Sequence, residues 1–193
     1  NLAGTQAVLG VLNQRCAAGE AAANLWSAGT MFDVAMLVAD AMRDIERRDG
    51  EYLQENEIGF NASFIVGGQI KGEPLRLFRI YAEGNFIEAG IDTPFFQTGE
   101  TKYGKPILDR IIAADTTLDD AARCALVSLD STIRANISVG PPLDLAICVA
   151  GDPRVSRRLS LAGDSPLYMG VQQGWNEGLK RAFLELPRFE WEP

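Results

Sequence analysis

Apolar residues recur at helical spacing from Leu2 onward in "NLAGTQAVLGVL", a stretch without Lys or Arg. A second helical face follows in Val34, Leu37, Val38, Ala41, Met42 and Ile45. Thr30 stands where a cap would start it, and Arg48-Asp49-Gly50 where it would end. The pattern then changes. "SFIVGGQI" (63–70), "LRLFRIYA" (75–82) and "NFIEAG" (85–90) read as short strands, because turn-forming Lys71-Gly72-Glu73-Pro74 and Glu83-Gly84 separate them. They predict an antiparallel meander. Helical spacing returns over 105–114 and 117–135, the second turning Leu118, Ala122, Leu126, Leu129 and Ile133 toward a core. "LDLAICVA" (143–150) is a further strand, which "RVSRRLSL" (154–161) can pair with across Gly151-Asp152-Pro153. Residues 166–186 read as a closing helix with Pro166 in its first turn.

This order predicts an α+β fold in which helices cover one face of an antiparallel sheet. The strands around Phe64 to Val66 and Ala146 to Val149 are apolar enough to need cover on both faces. A second sheet would provide it, and its strands are expected upstream of Asn1. Residues 1–16 hold neither the basic segment nor the long apolar core of a secretory signal, so the start reads as a cut.

With 193 residues, one domain over 1–193 is expected, burying roughly 70% of its unfolded surface. The balance of 26 acidic against 18 basic residues disfavours nucleic acid and anionic membrane as partners. No run approaches the ~20 apolar residues of a membrane span. Cys16, Cys124 and Cys148 are far apart in sequence, and two of them lie in apolar patterns that suit a reduced, buried thiol, which fits a cytoplasmic location. The chain has no histidine. That excludes Ser-His-Asp and Cys-His triads and His-ligated zinc, leaving a carboxylate pair, a lysine or an N-terminal amine as the possible base.

Three tempting motifs carry no chemistry. "GGQIKG" (67–72) lacks the Gly-Lys-Ser/Thr ending of a phosphate loop and predicts a bulged hairpin. Asp119 and Asp120 are adjacent on a helix, do not face each other, and suit its positive N-terminal end. Ser156, Arg157 and Arg158 read as a solvated strand edge.

Five stretches carry a resemblance in their order and spacing: "NLAGTQAVLGVL", "FNASFIVGGQIKGEPLRLFRIYAEGNFIEAG", "PFFQTGETKYGKPILDR", "ANISVGPPLDLAI" and "LPRFEWEP". Together they resemble the bacterial ancestral beta subunit family, Anbu, which is proteasome-like. The resemblance implies a four-layer αββα N-terminal-nucleophile hydrolase sandwich of antiparallel sheets. It also implies that 1–193 is one proteasome-beta-like domain, N-terminally incomplete, with the first sheet's N-terminal strands missing. In such subunits the nucleophile is a mature N-terminal threonine, and a supporting lysine and aspartate precede the first helix. Asn1 cannot replace it, having neither hydroxyl nor thiol. Asn1 and Leu2 would then border the substrate.

Within the chain the resemblance implies supporting residues only. "FFQTGETKYG" resembles the proteasomal Gly-Ser-Gly-Ser loop, with Thr98 at the serine and Gly99 at the following glycine. A hydroxyl there can relay a proton through a water; equally, Gln-Thr-Gly-Glu can be a plain polar turn. "ANISVG" resembles the segment where proteasomes carry an aspartate, two residues, a hydroxyl residue and glycine. Asn136 falls on the aspartate and Val139 on the hydroxyl, both departures, with Ser138 one residue away. Asn136 can orient an amine through its carbonyl oxygen without supplying charge, which makes Asn136→Asp the milder change and Asn136→Leu the harsher; or it can simply cap the helix end.

The expected function is a subunit of a self-assembling threonine peptidase that hydrolyses peptide bonds, with a peptide or unfolded protein as substrate. A ring-like or helical homo-oligomer is expected, with no metal or organic cofactor and no nucleic-acid or membrane partner. A non-catalytic scaffold subunit and an amidase acting on a small amide are the alternatives.

Overall fold

The computed structural model describes residues 2–19, 23–57, 59–152 and 154–192. They form two compact units, Asn1–Thr98 with Cys148–Arg154, and Gly99–Ile147 with Val155–Pro193.

The first unit holds α1 (Leu2–Ala17), α2 (Met31–Glu55), β1 (Phe64–Gly68), β2 (Arg76–Ile80) and β3 (Phe86–Glu88). Thr30 starts α2 as expected: its hydroxyl accepts from Asp33 N at 3.1 Å, and the Asp33 carboxylate accepts from Thr30 N at 2.9 Å. Glu73 accepts from a further open donor, Met31 N, at 3.1 Å. The expected stop at Gly50 is corrected, since α2 runs on to Glu55. One interior glycine costs about 1 kcal/mol, which the helix-forming Glu51 to Glu55 offset. The helix ends where Asn56 caps it and Glu57 turns left-handed at φ 56°.

The meander forms in the expected order β1-β2-β3, both pairs antiparallel. Its register runs evenly from Phe64 opposite Ile80 to Gly68 opposite Arg76, so the expected bulge is absent and only the hairpin stands. Within the turn that follows, Gln69 Nε2 donates to Glu73 O at 2.7 Å. Val8 and Leu12 of α1, Val38, Met42 and Ile45 of α2, and Phe78 and Ile80 of β2 share one core. Two charged contacts hold the helices in place. Arg15 pairs with Asp44 at 2.6 Å between α1 and α2, and Arg43 donates to Gly84 O at 2.7 Å, tying the β2–β3 turn to α2. On the sheet's outer face Ile65 and Ile87 flank Arg79 and are 37% and 44% exposed.

The second unit holds α3 (Lys105–Ile111), α4 (Leu118–Ala135), the paired strands β4 (Leu143–Cys148, all but its last residue) and β5 (Val155–Leu161), and α5 (Pro166–Leu184). Thr117 and Ser165 cap α4 and α5, with Pro166 in the first turn of α5. Leu126, Leu143, Leu161 and Tyr168 form the core, with Leu129, Ile133 and Val171 against it. Leu118 is the exception, 50% exposed because it opens α4, beyond the reach of that core. Cys124 is buried, whereas Cys148 at the end of β4 is exposed, which departs from the apolar pattern around it.

Candidate active site

In the first unit, Thr98 sits in an irregular segment after β3, its hydroxyl 2.9 Å from that of Ser63, the residue before β1. Either oxygen can donate. The pair uses one of its two O–H groups on itself, leaving one donor and three acceptor positions for other partners. A strand start is a firm base for this, because the backbone of Phe64 is held in the β1–β2 ladder. Leu2 opens α1 and is 73% exposed. Asn1 lies outside the described residues.

In the second unit, Gly99 has φ +82°, a left-handed conformation that L side chains rarely adopt, so this position needs glycine. Glu100 follows, with Oε1 accepting from Lys102 N at 3.0 Å and Oε2 accepting from Asn136 Nδ2 at 3.3 Å. Farther along, a side chain on Gly104 would come within 2.9 Å of Ser128 O and 3.0 Å of Thr132 Oγ1. The loop 99–104 therefore lies directly against α4 at Gly104 and reaches its end through Glu100.

Asn136 does cap α4. Its backbone leaves the helix at φ −136° and ψ 109°, while its N–H still donates to Thr132 O at 2.8 Å. Its side chain points both ways at once: Oδ1 accepts from Ser138 N at 2.9 Å, and Nδ2 donates to Glu100. Ser138 and Asn136 are thus brought together through a backbone bond, the Ser138 side chain being exposed. Two polar partners carry no signal in the sequence, Ser63 and Glu100. Neither had a spacing signal, since they lie 35 and 36 residues from the groups they bind.

Deeper in the second unit, Asp130 of α4 is only 1% exposed and accepts from Tyr168, Gln172 and Arg134, the last at 3.0 Å. Burial, with the negative Asp130 next, pushes the Tyr168 hydroxyl above its ordinary pKa. Among the described residues no group of three or more Cys, Asp or Glu is placed to hold a metal ion, and no helix is long and apolar enough to cross a membrane.

No protein-family model matches the chain, and no curated protein does. Solved structures do. Anbu (ancestral beta-subunit) from Yersinia bercovieri is 44% identical at a TM-score of 0.90, over 100% of this chain and 79% of that one. The chain belongs to the Anbu family. Anbu of the helical assembly from Pseudomonas aeruginosa is 42% identical at a TM-score of 0.90, over 99% of this chain and 78% of that one. The Gly-1 mutant of Anbu from Hyphomicrobium sp. strain MC1 is 44% identical at 0.91, over 98% and 78%. The resemblance carried by the five stretches is borne out, and the α+β fold is that of the Anbu structures.

Proposed function

We propose that this chain provides the supporting residues of an N-terminal-threonine peptidase subunit. The observation that carries this reading is the Ser63–Thr98 hydroxyl pair, which stands where the family resemblance calls for a proton-relaying hydroxyl. The threonine hydroxyl attacks a peptide carbonyl, and its own amine or a neighbouring lysine takes the proton. The tetrahedral oxyanion collapses and expels the amine product, which receives that proton. Water then hydrolyses the ester, regenerating the hydroxyl. Thr98 relays protons, Gly99 shapes the loop that follows, Asn136 and Ser138 order the end of α4, and Asn1 and Leu2 border the substrate.

Copies of the subunit assemble into a ring-like or helical homo-oligomer. Support comes from the helical assembly of the Pseudomonas aeruginosa relative and from the exposed Leu179, Phe183 and Leu184 on α5, an apolar patch that water does not favour. Phe189 and Trp191 of the tail stack at 4.6 Å between ring centres and add to the apolar surface. The three free thiols accord with a cytoplasmic protein acting on peptides or unfolded chains.

The test is hydrolysis of a peptide amide by the natural protein, with N-terminal sequencing of the same sample. Turnover with threonine at the mature N-terminus is expected. An assembled protein with no turnover and no Thr, Ser or Cys there would make it a scaffold.

A further inference from the structure

We propose that Trp26 anchors the contact between neighbouring copies of this chain, its indole seated on the α5 patch of the next copy, a contact that deepens the homo-oligomer reading above and rests on it. Tryptophan is enriched among the residues that carry interface energy. Trp26 is 85% exposed, on the turn between α1 and α2. That turn is built to hold still. Asn24, only 4% exposed, accepts through Oδ1 from Trp26 N at 2.8 Å and Ser27 N at 3.1 Å, and donates through Nδ2 to Gly19 O at 2.8 Å, two residues past α1. Ser27 Oγ closes the turn by donating to Asn24 O at 3.0 Å and accepting from Asn24 N at 3.1 Å. Leu25 packs against the core of the first unit. The residues before Trp26 are thus anchored inward while the indole is displayed outward, and a backbone already fixed in this way loses little freedom on binding.

The occupant follows from the kind of assembly. A ring or a helix is made by a heterologous contact, in which one surface of a copy meets a different surface of the next. Each copy must therefore both display and receive. On α5 and just beyond it, Leu179, Ala182, Phe183, Leu184 and Leu186 line an open apolar hollow of about 700 Å³, with room for an indole. Lys180 lines it too, and a cation beside an indole face attracts it. The displaying side is the turn, together with Phe32 and Met36, which α2 exposes four residues apart on one helix face. Charge selects the same segment. At net charge −8, copies repel where their acidic surfaces meet, and Ala23 to Phe32 holds no charged residue.

Sedimentation velocity and native mass spectrometry of the natural protein, with thermal melts of each variant, test this. Trp26→Ala and Phe183→Asp are each expected to melt like the parent and to weaken self-association about tenfold or more, leaving monomers where the parent is assembled. Mixed in equal amounts, the two variants restore one contact, Trp26 of the Phe183→Asp copy on the intact α5 of the Trp26→Ala copy. Heterodimers that grow no further are the expected result. Trp26→Ala assembling like the parent would overturn the proposal alone, and so would a mixture that stays monomeric, because the two surfaces would then not meet. If either variant fails to fold, hydroxyl-radical footprinting of the parent decides. Oxidation of Trp26 that falls on assembly supports the contact; oxidation undiminished by assembly, or equally low in dissociated copies because the same chain covers the indole, refutes it. A parent that is monomeric at every concentration would overturn the homo-oligomer reading, and this inference with it.

Discussion

At Thr98 and Ser63 two hydroxyls 2.9 Å apart orient each other; the sequence resemblance points to Thr98, whereas nothing in the position of Ser63 alone reveals it. Thr98→Val keeps the shape and removes the hydroxyl. It is expected to slow acylation about ten- to a hundredfold without dissociating the oligomer, measured by single-turnover kinetics and sedimentation. Thr98→Ser is expected to keep most activity, and Ser63→Ala to lose only a few-fold, since it removes the orienting partner and leaves the relay. Asn136 shows what residue-level reading can and cannot deliver. Its helix-ending role was legible from "ANISVG", because a short amide side chain followed by glycine and prolines stops a helix. Glu100 was not legible, because it sits 36 residues away and only folding brings it to α4. That neighbour adds a cost to Asn136→Asp, which places two carboxylates together while keeping the acceptor for Ser138 N.

Helix beginnings were the most legible elements. Thr30, Thr117 and Pro166 mark the starts of α2, α4 and α5, because the threonine caps bond donors within three residues and Pro166 suits a first turn whose N–H has no partner, so local sequence contains the whole signal. The end of α2 was less legible, since a glycine's cost is small against five helix-forming neighbours. Least visible was the pairing of α4 with α5 through Asp130, where a buried carboxylate takes bonds from Tyr168 and Gln172 on α5. Asp130→Ala would strand both donors and is expected to cost about 2–4 kcal/mol in urea unfolding, against about 1 kcal/mol for Tyr168→Phe. Alkaline pH acts on the same helices. Burial raises the Cys124 thiol above its ordinary 9.0, and burial beside Asp130 raises the Tyr168 hydroxyl above its ordinary 10.0. The folded chain thus keeps protons that the unfolded chain releases, and stability falls as pH rises past about 9. The urea midpoint is expected to drop from pH 9 upward, and Cys124→Ala is expected to flatten the part of the fall nearest pH 9.

For the molecule as a whole, the order of helices and strands carried the α+β class, because the switch between helical and alternating patterns survives ignorance of every contact. The division into two compact units was not legible, since no composition change marks the boundary at Thr98 and the segment 148–154 returns to the first unit. Exposed apolar residues mean little in a pattern, but Leu179, Phe183 and Leu184 left uncovered on α5 give self-association a physical reason. Assembly and chemistry can be read in one sample. The most direct measurement is native mass spectrometry of the natural protein after exposure to a threonine-directed electrophile. The expected result is an oligomer carrying one adduct per subunit on an N-terminal threonine; an unlabelled protein, or a monomer at every concentration, would contradict it.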